Sequence, residues 1–343
     1  MNIKPQFSED SSTPLYIQFA DYVKDAIRNG VFSPDKPLPS INAMKIQMGI
    51  SRETIVKGYA YLCKENVLVP HQGMGYFVKP SFLSGRRSVI IFLDKMSQHQ
   101  QNILDGFIEK VNEKVDITIR MHYQNPKWLA EEIDKSQNRY DYYLLFPHFA
   151  QDAETKATVA SLIDRLPAEK LIILDRLPDS LSAVSGASYQ SIEKDLPTAL
   201  KGVMDDVRKY KRIRSLSLSV SLYGNLVVDV LTKFGVENDV EVEVLKDIPS
   251  EIKNGDLFFV TGSRLDKNLS RLLKSMISSG CEIGDEVGLI CYNDFPLNEF
   301  ILGGLTSLST DFVEMGRTAG EMVLSGNLSK VHGPCSLIRR KTF

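Results

Sequence analysis

The 343-residue chain is poor in the residues that usually announce chemistry: four cysteines, five histidines and one tryptophan. Cys63, Cys281, Cys291 and Cys335 form no CxxC pair, and the histidines show no HExxH or similar ligand spacing. Both absences argue against a disulfide framework or a metal site, and fit buried thiols in a reducing cytoplasm. No apolar run approaches the ~18 residues that cross a bilayer, and the N-terminus has no apolar signal region, so no membrane partner is expected. No Walker loop, nucleophile elbow or GxGxxG behind a strand supports an α/β enzyme, and no cofactor is expected. Neither charge sign dominates, with a formal net charge of −2. Residues 1–80 hold nine Lys/Arg and seven Asp/Glu, net +2, which leaves 32 and 36, net −4, for the remainder. That asymmetry permits DNA binding at the front of the chain, given local clustering. Hydrophobic and charged fractions of 43% and 24% are ordinary for a folded protein, and the length allows two or three domains.

The front of the chain has its own grammar. Thr13 and Pro14 stand where an N-cap and a first-turn proline belong, and Leu15, Phe19, Val23 and Ile27 follow four apart to about Asn29-Gly30. Leu38-Pro39-Ser40 opens a second short helix that Gly49 ends, and Ser51 caps a third from Arg52 to about Asn66. Val67-Leu68-Val69 and Tyr76-Phe77-Val78 flank His71-Gln72-Gly73-Met74-Gly75, a glycine-tipped hairpin. Helix, turn, helix and wing predict a winged helix-turn-helix over residues 1–79, its third helix placed to enter a major groove.

Pro14-Leu15-Tyr16-x-Gln18, Gly30, Leu38-Pro39-Ser40, Gly49-Ile50-Ser51-Arg52-x-Thr54, Tyr59-x-x-Leu62 and Gly73-x-Gly75-x-Phe77-Val78 resemble the DNA-binding domain of GntR-type bacterial transcription regulators. Arg52, first in the third helix, suits a bidentate contact to guanine. Ser51 and Thr54 suit a base edge or a phosphate at a helix N-terminus. Ser40 and Asn42 are the matching positions on the second helix, and Gln72-Gly73 at the hairpin tip can reach the minor groove. Lys45, Lys57 and Lys64 are candidates for phosphate contacts, and each also reads as a solvated surface lysine. Members of the family commonly carry arginine where Asn42 stands, and some carry another at Val56. The resemblance therefore implies duplex binding to a different operator.

Lys79 to Arg87 interrupts the periodicity, so residues 80–87 are expected as a linker too short and broken for a helix of its own. Arg86-Arg87 there reads as a phosphate contact or as solvated charge. From residue 88 to 343, short apolar runs such as Val-Ile-Ile-Phe-Leu alternate with amphipathic stretches, including one long helix from Ile192 to Tyr210. This predicts doubly wound α/β layers, and the pattern nearly restarts at Ile213, giving two similar lobes.

Ligands of open parallel sheets sit beyond the carboxyl ends of the strands. Those positions hold Asp94-Lys95, His148, Asp175-Arg176, Tyr223, Arg264 and Asn293-Asp294, a set of carboxylates, forked donors and an aromatic that suits a polyhydroxylated ligand. Several also read as caps of neighbouring turns, Asp294 in particular.

Asn102-Ile103-Leu104-Asp105-Gly106-Phe107, Leu174-Asp175-Arg176, Gly288 to Asp294 and Leu305 to Ala319 resemble the effector domain of LacI-type repressors, which has the periplasmic sugar-binding (type I) fold. The resemblance implies hydroxyl binding by Asp175 and by Asn293. Gly262-Ser263 replaces the usual Asn-Asp, leaving Arg264 as the contact from that loop, and Tyr223 stands where arginine is frequent. A GntR-type reader joined to a LacI-type sensor resembles the arabinose-repressor-like branch. It implies a cytoplasmic homodimer gripping operator DNA at two half-sites and released by a monosaccharide such as arabinose or fucose. The dimer interface is expected on Gln98–Val111 and Glu314–Ser325, which also read as ordinary cover on the sheets. Lys95, Arg176 and Arg264 keep open the alternative of a ligand-activated regulator that responds to a sugar acid or sugar phosphate. Rival readings are a sugar-processing enzyme, a GntR protein with an aminotransferase half or an all-helical acid sensor, and a pure sugar-binding module.

Overall fold

A computed structural model describes residue 7 and residues 13–136, 139–217, 222–261 and 267–343. The front segment is α1 (Leu15–Arg28), α2 (Ile41–Met48), α3 (Arg52–Lys64), β1 (Leu68–His71) and β2 (Gly75–Val78), the two strands antiparallel with His71 opposite Gly75. The four-residue spacing buries Phe19, Val23 and Ile27 against Met44, Ile55, Tyr59 and Leu62. The Tyr59 hydroxyl donates to the Pro39 carbonyl at 2.8 Å, tying α3 to the start of α2. Gly49 ends α2 at φ +72°, a left-handed turn that L side chains rarely adopt. Ser51 then caps α3 by accepting from Thr54 N–H at 3.0 Å. One boundary differs from expectation. Pro14, at ψ 141°, is itself the N-cap residue, so the helix begins at Leu15 and has no side-chain cap. The Thr13 carbonyl instead accepts from Gln18 Nε2 at 2.6 Å.

The expected linker also departs from the reading, because it contains a helix, α4 (Pro80–Ser84). Pro80 sits at a first-turn position where its fixed φ suits a helix, and Gly85 closes the helix in the left-handed region. Phe82 packs against the front core, which supplies what so short a helix cannot supply alone.

The remainder alternates: β3 (Arg87–Leu93), α5 (Gln98–Val111), β4 (Val115–Met121), α6 (Pro126–Ser136), β5 (Tyr142–Leu145), α7 (Ala153–Ile163), β6 (Leu171–Arg176) and β7 (Gly186–Gln190). Next come α8 (Ile192–Gly202), α9 (Met204–Val207), β8 (Arg212–Ser217), α10 (Gly224–Asn238), β9 (Glu241–Leu245), β10 (Asp256–Thr261) and α11 (Lys267–Ser278). The chain ends with β11 (Gly288–Tyr292), β12 (Thr306–Thr310), α12 (Phe312–Ser325), β13 (Lys330–His332) and β14 (Cys335–Ile338). The expected helix from Ile192 to Tyr210 is thus two. Gly202 and β-branched Val203, which leaves the helical region at φ −126°, break it.

Two six-stranded sheets result, ordered β13-β7-β6-β5-β3-β4 and β14-β12-β11-β10-β8-β9. The described pairings are parallel except β12 with β14. This is a two-lobed, parallel-sheet α/β architecture behind a winged helix-turn-helix. Strands β5, β6, β10 and β11 are almost wholly buried, as expected of sheets covered on both faces. By contact, residues 1–94, 111–145 and 157–172 form one compact unit, and 95–110, 146–156 and 173–343 form another. Within the second, α5 and α12 lie backbone to backbone. A Cβ on Gly106 would fall 2.0 Å from the Val313 carbonyl oxygen, and one on Gly316 1.9 Å from that of Ile103. The two helices expected to supply a dimer interface therefore pack against each other within one chain. Among the described residues no helix is long and apolar enough to cross a membrane.

Candidate functional sites

In the first unit, the polar residues singled out from the sequence share the surface around α2, α3 and the hairpin. Ser40, Asn42, Lys45, Ser51, Arg52, Lys57, Gln72 and Gly73 are all exposed, and Thr54 is half-buried. Arg52 occupies the first turn of α3. Ser40 caps α2, accepting from Ala43 N–H at 3.2 Å, so its carbonyl and hydroxyl are partly committed to the helix. The Ser51 and Thr54 hydroxyls lie 2.8 Å apart and hold each other at the start of α3. Lys57 pairs with Glu53 one turn earlier at 2.8 Å. The Glu53 hydrogen bond raises the lysine pKa and lowers that of the carboxylate, but both groups are solvated and the pair yields easily to a phosphate. At the hairpin tip Met74 is half exposed beside Gln72 and Gly73.

The second unit holds a buried polar constellation. Asp175, second to last in β6, has φ +70° and is 2% exposed. Its Oδ2 lies 2.8 Å from His148 Nε2 and 3.6 Å from His99 Nε2, and its Oδ1 accepts from Gln190 Nε2 at 2.5 Å. Burial pushes this carboxyl pKa up, but the adjacent His148 and His99 imidazoles together outweigh burial and hold it well below the ordinary range. Gln190 Oε1 accepts in turn from the Tyr292 hydroxyl at 3.0 Å and from Thr310 Oγ1 at 3.4 Å. One network thus ties the ends of β6, β7, β11 and β12. His148 Nδ1 meets Gln100 Nε2 at 3.1 Å.

Arg176 is 7% exposed and lies over the Tyr223 ring, its Cζ 4.4 Å from the ring centroid. Arg176 Nη1 is buried with no hydrogen-bond partner among the described residues, and Asn293 Oδ1 is in the same situation at the end of β11. Asn293 has φ +72°, so Asp175 and Asn293, each near the carboxyl end of a strand, both sit in the left-handed region. Asn293 thus combines a left-handed backbone with an acceptor that has no partner among the described residues, a pairing that calls for an explanation such as a bound ligand.

The other sequence-predicted residues are placed differently. Lys95 is exposed just beyond β3. Asp94 is buried in the first unit and accepts from Gln124 Nε2 at 3.0 Å. Asp294 is held by two hydrogen bonds from Arg340, at 2.7 and 2.8 Å, and by Asn298 Nδ2 at 3.1 Å. Burial raises its carboxyl pKa, and the hydrogen bonds from Arg340, Ser307 and Asn298 together with the Arg340 charge leave it lowered. Arg264 lies outside the described residues. His99, Gln100, Gln190, Tyr292 and Thr310 were not singled out from the sequence. Gln190 ends a strand that carries no apolar run, and His99 sits in the first turn of an amphipathic helix, so neither leaves a local signal. A cleft of about 670 Å³ elsewhere, beside α8, is lined by Asp195, His332 and Cys335 among others and includes none of the predicted residues.

Residues 15–78 match the family of bacterial regulatory proteins named gntR. Over 69 residues the chain is 44% identical to the uncharacterized HTH-type transcriptional regulator YurK of Bacillus subtilis, covering 20% of this chain and 28% of that one. Over 97 residues it is 36% identical to the HTH-type transcriptional repressor NagR of the same organism, covering 28% and 38%. The match therefore spans well under half the length of these relatives. The Lac repressor bound to ONPG superposes with a TM-score of 0.56 at 14% identity, covering 86% of this chain and 92% of that one. Residues 15–78 are a GntR-type winged helix-turn-helix, and the two-lobed remainder has the LacI-type, periplasmic-binding-protein-like fold.

Proposed function

We propose that the protein is a sequence-specific transcription regulator whose α/β half binds a small carbohydrate. Binding changes how a homodimer grips operator DNA, most simply by releasing a repressor. The observation that carries this reading is the pairing, in one chain, of a GntR-type reader with a LacI-like fold whose strand ends hold buried, incompletely partnered polar groups. Asp175, aligned by His148, His99 and Gln190, is an acceptor for sugar hydroxyls, Asn293 adds a second acceptor, and Tyr223 offers a ring face. On this reading residues 1–79 are the reader, 80–87 the connection and 88–343 the sensor. A neutral monosaccharide such as arabinose or fucose satisfies Asp175 and Asn293. Arg176 Nη1, without a hydrogen-bond partner among the described residues, favours a second reading, a sugar acid or sugar phosphate whose anionic oxygen would complete the guanidinium fork.

Two half-sites about one helical turn apart supply the contacts that one small reader lacks. The effector shifts binding only by its differential affinity for the two dimer states, commonly ~1–3 kcal/mol. Melting of the full-length protein with monosaccharides, sugar acids and sugar phosphates tests the reading. One class should raise the midpoint and, at the same concentration, loosen the protein from promoter DNA. Stabilisation by none of them, or turnover of any, contradicts it.

A further inference from the structure

The segment 139–141, which leads into β5, is gripped by the reader at two places within the first unit. Arg139 lies over the wing residue Phe77, its Cζ 5.0 Å from the ring centroid. Its Nη2 donates to the Pro34 carbonyl between α1 and α2, and its Nη1 donates to the Lys135 carbonyl in α6 at 3.0 Å. Asp141 forms the second grip. Its Oδ1 lies 2.8 Å from Nζ of Lys79, the residue after β2, in a pair whose side chains are 24% and 11% exposed. Its Oδ2 accepts from both N–H and Oγ of Ser88 on β3, at 2.8 and 3.0 Å. Lys79 Nζ also reaches Asn66 Oδ1 at 3.5 Å, just past the C-terminus of α3. The end of α3 and the α1–α2 loop are thus hydrogen-bonded to Lys79 and to Arg139 respectively, and the wing meets Arg139 through the Phe77 ring.

A charge pair this shielded from solvent is not the weakly held contact of an exposed surface. The planar Arg139 fork, stacked on one side and bonded on two others, cannot be copied by lysine. The strand that begins beside Asp141 ends with Leu145, three residues before His148, which touches Asp175.

We propose that Arg139 and Asp141 are positioning residues: they latch the DNA reader to the start of β5, so that the reader's orientation is set through this strand and not left to a flexible tether. The inference rests on the regulator reading for its purpose, but the latch itself is tested without DNA or effector. In full-length protein, ¹⁵N relaxation of reader amides, Gly73 for example, should give the same rotational correlation time as those of β3 and β5, which belong to the same compact unit. In Lys79→Met, Asp141→Asn and Arg139→Lys the reader should tumble several-fold faster while circular dichroism stays unchanged. The Lys79→Met/Asp141→Asn double variant should go no further than either single one, the non-additivity expected of direct partners.

The second readout is DNA selected from random sequence by the full-length protein. Affinity for one half-site should stay constant in the variants, while the preference for one spacing of paired half-sites drops about tenfold. A wild-type reader already tumbling independently overturns the latch, as do variants that keep both the slow tumbling and the spacing preference. If no selected DNA is held although the variants free the reader, the latch stands and the regulator reading falls.

Discussion

The reader and the sensor store their function in different ways. In the reader, a few neighbouring residues do everything: Gly49 turns the chain, Ser51 caps α3, and Arg52 is delivered to an exposed first turn. In the sensor, the buried Asp175 draws its partners from His99, His148 and Gln190, as far as 76 residues away in sequence. A surface reader tolerates mutation in stability and shows it in affinity. A buried constellation shows it in both.

Asp175→Ala should produce the largest effect. It leaves two imidazoles and an amide without their shared acceptor, costing about 3–5 kcal/mol as a broken buried pair. The variant should lose every carbohydrate-induced melting shift but still hold DNA at lower temperature, and a normal melting shift would remove Asp175 from the site. Gly316→Ala comes next. Its Cβ would meet the Ile103 carbonyl 1.9 Å away, so α5 and α12 must part at a cost of about 1–3 kcal/mol, read from urea unfolding. Arg52→Ala belongs on the other side of the comparison. Melting should be unchanged, operator affinity should fall by about 1–3 kcal/mol, and selectivity should relax at one base position. Unchanged selectivity means α3 docks otherwise.

The smallest effect is one of pH. The folded pKa of Asp175 is lowered, so its stabilisation is fully present above the ordinary carboxylate value of about 4. It is lost as pH falls below that toward the lowered folded value. Asp175→Asn should therefore flatten the acid limb of the stability curve below about pH 4, whereas Arg52→Ala should leave that limb unchanged.

What was legible from sequence follows the same division. The reader's elements are spelled by local rules, and only Pro14 as cap and α4 departed from them. Strands β5, β6, β10 and β11 announced themselves as apolar runs. Strands β7 and β12, Gly-Ala-Ser-Tyr-Gln and Thr-Ser-Leu-Ser-Thr, did not, because their small polar residues look like turns until the sheet pairs their backbones. Ser188, for instance, is fully buried and donates to the Met315 carbonyl at 2.9 Å. Since β7 carries Gln190, missing the strand meant missing the residue that bridges Asp175 to Tyr292. Asp175, Arg176 and Asn293 were legible because strand-end positions follow from the run itself. The Arg340 clamp on Asp294 comes from 46 residues further on and leaves no local trace.

The central claim is tested most directly by titrating full-length protein onto a selected operator, by fluorescence anisotropy, with and without the carbohydrate that best stabilises it. The account predicts affinity about 5–150-fold weaker with the ligand present, the range set by ~1–3 kcal/mol of coupling, and no change in Asp175→Ala. A ligand that stabilises the protein yet leaves operator affinity untouched would contradict it.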